Sequence, residues 1–287
     1  MAIKQRKSHL FKYRPIDLNT LEMIRDDFVY FNSPNNFNDP FDCKMIIEYK
    51  GDDDEWNEYF KKKGQELSND QKLLMKHHLI NDVEKNTYNF QKNILSNFWV
   101  LSLSGKCDDI LLWSHYAKNH SGLCIQYTTV EIYDDKSAAH FLEFQKGAAD
   151  YQSQLSNLPN NFIMAHPVTY KTKMPRPYNV LKENLNDLTA FVTTKHENWS
   201  YEKEFRIFLP IEQVLQQKAK INYQIVSGFI FGIKTNKRDV INVKTFFDSK
   251  LNKPEISISK MDLYFDNYGL KRVFYDSFDD LIKTLDD

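Results

Sequence analysis

The segment Phe98-Trp-Val-Leu-Ser-Leu-Ser104 carries apolar side chains at four successive positions and again at Leu103. Alternate residues of a strand point to opposite faces. A run like this is therefore apolar on both faces and belongs inside a sheet that is covered on both sides. Such a chain must build several strands and enough helix or second sheet to cover them. Other segments read as strands for the same reasons of alternation and β-branched or aromatic content: Leu10 to Arg14, Phe28 to Asn32, Leu123 to Thr128, Val168 to Lys171, Glu202 to Leu209, Ile225 to Gly232, Glu255 to Ser259 and Leu270 to Phe274.

Helical spacing separates these segments. Asp17 caps a helix that runs to Asp27, with Leu18, Leu21 and Ile24 on one face. From Asp52 to about Ser96 the pattern is helical and highly charged, with Leu73, Leu74, His77, Ile80, Val83 and Tyr88 at near-helical intervals. Asp108 to Asn119 reads as a helix that stops at Asn119 to Gly122. Val180 to Thr194 reads as another, and Asn236 to Ser249 as a third with Val240, Val243 and Phe247 inward. Residues 131–165 are poorer in β-formers and predict helix plus loop. The expectation is an α+β chain, a single domain over residues 1–287 with a mixed, largely antiparallel sheet and a helical insertion at 52–96. No glycine-rich strand–helix turn is present, which speaks against a doubly wound dinucleotide-binding fold.

Composition narrows the classes. The chain has 287 residues, 27% of them charged, which suits a globular protein with a substantial core. Net charge is −1, so there is no global attraction to nucleic acid or to membranes, and nucleic acid would need a local basic patch. The three cysteines, Cys43, Cys107 and Cys124, form no C-x-x-C pair, which argues for reduced thiols and against a cysteine-built metal site. The basic, polar first residues are followed by no apolar stretch, and no run has membrane-spanning length, so a cytoplasmic location is expected.

The strongest candidate for chemistry is Glu202-Lys203-Glu204, read as two carboxylates on one face of an entering strand and set among Trp199, Tyr201, Phe205, Ile207 and Phe208. Two like charges that close must be solvated, met by cations or used. One could accept a hydrogen bond from a substrate hydroxyl and stabilise a developing positive charge, while the other positions a nucleophile. That division of labour suits an oxocarbenium-like transition state. The structural alternative is a pair of edge-strand glutamates neutralised by Lys203 or Arg206.

Arg14 at a strand end could fork onto a phosphate or carboxylate, or serve as a salt-bridged surface residue. Ser102 and Ser104 alternate on one strand face and could line a polar pocket or simply pack under a helix. Asn38, Asp39 and Asp42 sit in the turn-rich loop Phe37-Asn-Asp-Pro-Phe-Asp42, where they could reach a ligand or cap the backbone. His115 and His120 are five apart, a poor spacing for a shared metal on a helix. No metal site is expected. Trp113 and Tyr116 share a helix face and could stack on a flat ring or fill the core.

Taken in order, several blocks resemble a bacterial domain-of-unknown-function family, family 2971. They are Phe-Lys-Tyr-Arg14, the Asn-Asp-Pro-Phe-Asp42 loop, Leu-Ser-Leu-Ser104, Trp113-Ser-His-Tyr-Ala, Trp199-x-x-Glu-x-Glu-Phe-Arg206 and Gly228-Phe-Ile-Phe-Gly232. The resemblance runs from about Leu10 to Phe274 and implies an association with phage defence or toxin systems.

A second resemblance carries a mechanism. The order Arg14, Ser102-Leu-Ser104, Glu202-Lys-Glu204 is similar to the arginine, serine, glutamate-x-glutamate series of ADP-ribosyltransferases. It implies an ADP-ribosyltransferase-like fold and an enzyme that consumes NAD and modifies a protein or nucleic-acid acceptor. Arg14 would hold the NAD phosphate, Ser102 or Ser104 would support the nicotinamide-ribose pocket, and Tyr13, Trp113 or Tyr116 would stack on nicotinamide. Glu204 would contact the ribose and stabilise the cation, with Glu202 on the acceptor side. The long serine-to-glutamate spacing and the missing central threonine depart from that family's pattern.

Two further readings stay open. In a metal-dependent nuclease, Asp39 or Asp42 would join Glu202 and Glu204 around magnesium. In a non-catalytic sensor or interaction module, Asn38, Asp39, His115 and Arg206 would be buried, hydrogen-bonded and structural.

Overall fold

A computed structural model describes residues 4–64, 67–134, 137–147, 158–183 and 185–286. In chain order the strands are β1 Lys4–Arg14, β2 Phe28–Tyr30, β3 Ile47–Glu48, β4 Phe98–Ser104, β5 Leu123–Tyr133, β6 Ala138–Glu143, β7 Phe162–Pro167, β8 Thr169–Lys171, β9 Tyr178–Asn179, β10 Thr194–His196, β11 Glu204–Pro210, β12 Lys218–Lys220, β13 Val226–Phe231, β14 Ser257–Leu263 and β15 Leu270–Tyr275. The α-helices are α1 Leu18–Asp26, α2 Asp53–Lys62, α3 Asn69–Asn81, α4 Val83–Leu95, α5 Ile110–Tyr116, α6 Thr189–Val192, α7 Lys237–Asp248 and α8 Phe278–Lys283. The fold is mixed α/β with a large, mainly antiparallel sheet. The chain divides into two compact units, one made of Met1–Asn32, Trp99–Val168 and Ser200–Asp287, the other of Ser33–Phe98 and Thr169–Trp199.

The first unit is built on a nine-stranded sheet in the order β1-β4-β11-β7-β6-β5-β13-β14-β15, and β1 also pairs with β5. The first six strands therefore close on themselves, while β13, β14 and β15 run outward from β5. Strand β5 makes this possible by changing partners along its length. Its eleven residues pair with β1 throughout, from Lys4↔Tyr133 to Arg14↔Leu123. On its other edge the first half meets β13 and the second half meets β6. Closure removes edges that would otherwise invite pairing with other chains.

One sheet face carries the main core, including Leu10, Leu101, Leu103, Leu142, Ile163, Ile207 and Leu209. Helices α1 and α7 pack together against it, with Val240, Val243 and Phe247 of α7 inward as the spacing predicts. Asp17 caps α1 and Asn236 caps α7, each accepting a backbone N–H of the first turn. Leu21 and Ile24 are buried, but Leu18 is 63% exposed, because it stands at the first helical position, above the buried stripe. The opposite face carries a second core of Tyr13, Leu112, Trp113, Cys124, Ile230, Met261 and Leu270, covered by α5.

Three expectations are corrected in this unit. Residues 131–165 form the end of β5, all of β6 and the first four residues of β7, with residues 135–136 and 148–157 outside the described part. The helix expected from Asp108 to Asn119 is shorter, because Lys118, Asn119 and His120 all take positive φ. The strand expected from Glu202 begins two residues later, at Glu204.

In the second unit, Asp52 with Glu55 and Ser68 with Gln71 form capping boxes at the starts of α2 and α3. Helix α2 buries Trp56 and Phe60. Asp82 leaves helical geometry and separates α3 from α4. Helix α3 buries none of its residues, and Leu73 is 69% exposed. Strands β3 and β9 pair in parallel, as do β8 and β10. The helix expected over Val180 to Thr194 is a 3-10 turn at Leu185–Leu188 followed by the single turn α6.

Candidate functional site

A 3-10 helix, Glu197–Glu202, ends at the first glutamate of the motif. Lys203 then takes a left-handed conformation with φ 45°, and β11 begins at Glu204. This single residue breaks the period-two alternation, so Glu202 and Glu204 do not share a strand face. The residue that shares Glu204's face is Arg206. Its guanidinium forks the Glu204 carboxylate, Nε donating to Oε1 and Nη2 to Oε2, each at 2.8 Å. The two side chains are 1% and 7% exposed. Parallel bonds from a planar guanidinium to a carboxylate are the strong geometry for such a pair, and in a buried setting each partner depends on the other.

Glu202 is also buried. Its Oε1 accepts a hydrogen bond from the Tyr116 hydroxyl at 2.7 Å. Its backbone carbonyl accepts one from the Ser104 hydroxyl, also at 2.7 Å, and Ser104 Oγ in turn accepts the Lys106 N–H at 3.0 Å. The Lys203 carbonyl accepts the Gly105 N–H at 2.9 Å. Ser104, Tyr116 and Glu202 thus meet from β4, α5 and the 3-10 turn.

Arg14 lies elsewhere on the sheet. Phe11 pairs with Ser104 across β1 and β4, so Ser104 shares the face of Phe11 and Tyr13, while Lys12 and Arg14 share the other. The Arg14 Nε donates to Thr20 Oγ1 at 3.1 Å, and its guanidinium lies 5.6 Å from the Tyr30 ring centroid. The structure does not bring Arg14 and Ser104 onto one face. Ser102 is half-buried, and its carbonyl accepts from Lys12 Nζ at 2.7 Å.

Lys12 is a residue the motif reading passed over. Its pKa is pulled down to about 8, first by burial and then by the charge of Arg14, against the opposing pull of Glu204 and Glu202. The signal was present in Phe-Lys-Tyr-Arg14, whose two cations stand two residues apart and so share a strand face.

The aromatic residues have structural neighbours. Trp113 is fully buried, its ring edge-on to Tyr13 at 5.1 Å and its Nε1 donating to the Cys107 carbonyl at 2.8 Å. Tyr13 is buried and donates its hydroxyl to the Lys106 carbonyl at 3.0 Å, and burial drives its pKa far up. His115 is exposed, with its ring 6.4 Å from Tyr201. His120 belongs to a backbone knot: its N–H donates to the Trp113 carbonyl and its carbonyl accepts the Lys234 N–H. Burial, then Lys234, lowers its pKa. Gly122 closes the knot, where a Cβ would stand 2.3 Å from the Arg14 carbonyl.

In the second unit, Asn38 is exposed while Asp39 and Asp42 are buried. Asp39 Oδ1 accepts the Phe41 N–H at 2.9 Å. Asp42 Oδ1 accepts from the Cys43 thiol, and Oδ2 lies 3.5 Å from Nζ of the buried Lys195. The Lys195 ammonium stands 4.7 Å from the Trp199 ring centroid. Among the described residues no group of three or more His, Cys, Asp or Glu could hold a metal ion. All three cysteines are free, with Cys43 and Cys124 buried. Among the described residues no helix is long and apolar enough to cross a membrane.

Residues 112–207 match the model of a family described as a protein of unknown function, DUF2971. The match covers about a third of the chain. It begins in α5 and ends in β11, so it contains Trp113 and both bonded pairs, Tyr116 with Glu202 and Arg206 with Glu204. Arg14, the Asn-Asp-Pro-Phe-Asp loop and Leu-Ser-Leu-Ser lie outside it. No curated protein and no solved structure matches the chain.

Proposed function

We propose that this chain is a non-catalytic sensor or interaction domain in which the glutamate-x-glutamate motif holds the fold together. The observation that carries this reading is the Arg206 fork on Glu204. Both oxygens of this buried carboxylate are already bonded by the side chain two residues along its own strand, which suits a structural role. Tyr116 bonds one oxygen of Glu202, and Ser104 is bonded to backbone groups. The reading expects Glu204→Gln to lower the melting temperature markedly, because a neutral amide cannot offset the buried Arg206 charge as the carboxylate does. An unchanged melting temperature would count against it.

A second reading is an ADP-ribosyltransferase-like enzyme that consumes NAD and modifies a macromolecular acceptor. It is favoured by the convergence of Ser104, Tyr116 and Glu202 from three separate elements, with the charge of Lys12 coupled to both glutamates and to Arg14. The opposite result tests it: Glu204→Gln would abolish turnover of labelled NAD in the presence of lysate while the melting temperature stays close to that of the parent protein.

A further inference from the structure

On the α5-covered face of the first unit, β15 holds Arg272 half-buried. Three side chains brace its guanidinium: Nε donates to Ser259 Oγ at 2.7 Å, Nη1 to Gln126 Oε1 at 2.8 Å and Nη2 to Ser257 Oγ at 3.1 Å. The bracing groups are themselves fixed. Gln126, 7% exposed, donates to Ser227 Oγ at 3.1 Å. Ser259, fully buried, donates to the Phe229 carbonyl, and Ser257 donates to the Ser227 carbonyl at 3.2 Å. Gly228 leaves room for this arrangement, since a Cβ there would stand 2.4 Å from Ser257 Oγ. The Phe274 ring lies 4.4 Å from the guanidinium carbon and is 62% exposed.

The brace is made of neutral groups alone. Among the described residues no carboxylate forms an ion pair with Arg272, and the acidic groups that its charge meets are the thiols of Cys107 and Cys124. A cation withdrawn from water without a counter-charge is costly unless something supplies one. A guanidinium has five N–H donors in a planar fork. Three bonds are made, which leaves one N–H on Nη1 and one on Nη2 to donate to the oxygens of a phosphate or carboxylate.

We propose that Arg272 is the anchor of a binding site for a small oxyanion, a phosphate or carboxylate group, built by Gln126, Ser257 and Ser259. The inference uses none of the contacts of Glu202 and Glu204, so it stands whichever role those glutamates play.

The test is an NMR titration of the full chain, following the Arg272 side-chain Nε–H, with inorganic phosphate in one arm and acetate in the other at constant ionic strength set by sodium chloride. The expected result is a saturable shift in at least one arm, and the arm that saturates at lower concentration identifies the preferred group. Arg272→Lys keeps the charge and loses the fork, so it weakens binding at least tenfold. Ser257→Ala loosens the brace and weakens binding several-fold; it serves as the second variant should Arg272→Lys not fold. A shift in both arms that stays linear and is reproduced by sodium chloride alone would overturn the proposal, as would undiminished binding in Arg272→Lys.

Discussion

Arg206 and Glu204 stand two residues apart on β11 and close a bidentate ion pair within one strand, with both side chains buried. The pair brings two opposite charges together within one strand, so each offsets the other where the sheet encloses them. Removing one member takes the bidentate partner from a buried charge, at a cost of roughly 3 to 5 kcal/mol. Arg206→Met should therefore lose about that much stability in urea melts. Glu204→Leu combined with Arg206→Met should recover much of the loss, because a buried pair replaced by apolar groups of similar volume is often neutral. Arg206→Met within about 0.5 kcal/mol of the parent protein would show that the fork carries no weight.

Tyr116 and Ser104 hold Glu202 from two sides. Tyr116→Phe keeps the ring and removes a bond to a carboxylate, for an expected loss of roughly 1.5 to 3 kcal/mol. Ser104→Ala removes a neutral bond to the Glu202 carbonyl, for roughly 0.5 to 1.5 kcal/mol. Because both act on one residue, the double variant should deviate from the sum of the singles. Strict additivity in denaturant melts would mean that the two contacts work independently.

How much of this was legible in sequence depends on whether the signal was local. Helix α7 was readable because its cap, Asn236, and its inward residues, Val240, Val243 and Phe247, all lie within one element. Strands β6 and β7 were not, because each is fixed by ladders on both edges and needs no strong intrinsic preference. The central placement of Phe98 to Ser104 follows from its two apolar faces, and β4 lies between β1 and β11. The shared face of Glu202 and Glu204 failed on one left-handed residue, Lys203, a lysine at a position where side-chain type announces nothing. The partnership of Glu204 with Arg206 was visible in their spacing of two, and Arg206 is one of the two cations that the structural alternative names. That Tyr116 would meet Glu202, 86 residues away, had no local signal at all.

Burial makes His140 and His166 acid-sensitive supports. Each pKa is pushed below the ordinary value of 6.5 by burial, more than the Glu131 charge raises that of His140. The His140 ring meets Phe205 edge-on at 4.9 Å, and His166 stacks on Phe208 at 4.8 Å. As pH falls through 6.5 the unfolded chain takes up protons before the folded one does, so unfolding becomes easier. Melting temperature should drop between pH 7 and pH 5, and the drop should shrink in His166→Gln and again in the double variant with His140→Gln. An unaltered slope in the double variant would place the acid sensitivity elsewhere.

Lys12 should impose a dependence at the other end of the scale. Its folded pKa of about 8 lies below the ordinary 10.5, with burial as the first cause and Arg14 as the second. Below about pH 8 both folded and unfolded chains hold the proton, and the cost of the enclosed ammonium is paid in full. Between 8 and 10.5 the unfolded chain binds more protons than the folded one, so the contribution of Lys12 to stability rises with pH across that window. Burial also lowers the Lys260 pKa, so the two must be separated by variant. In Lys12→Met the rise attributable to this residue should vanish, and the stability of the parent protein relative to the variant should grow from pH 8 to pH 10.5. Reductive methylation with carbon-13 gives a direct readout: a lysine resonance titrating near pH 8 in the parent protein and missing from Lys12→Met. A Lys12 resonance titrating near 10.5 would mean that the ammonium is solvated and that its coupling to Glu202 and Glu204 is screened.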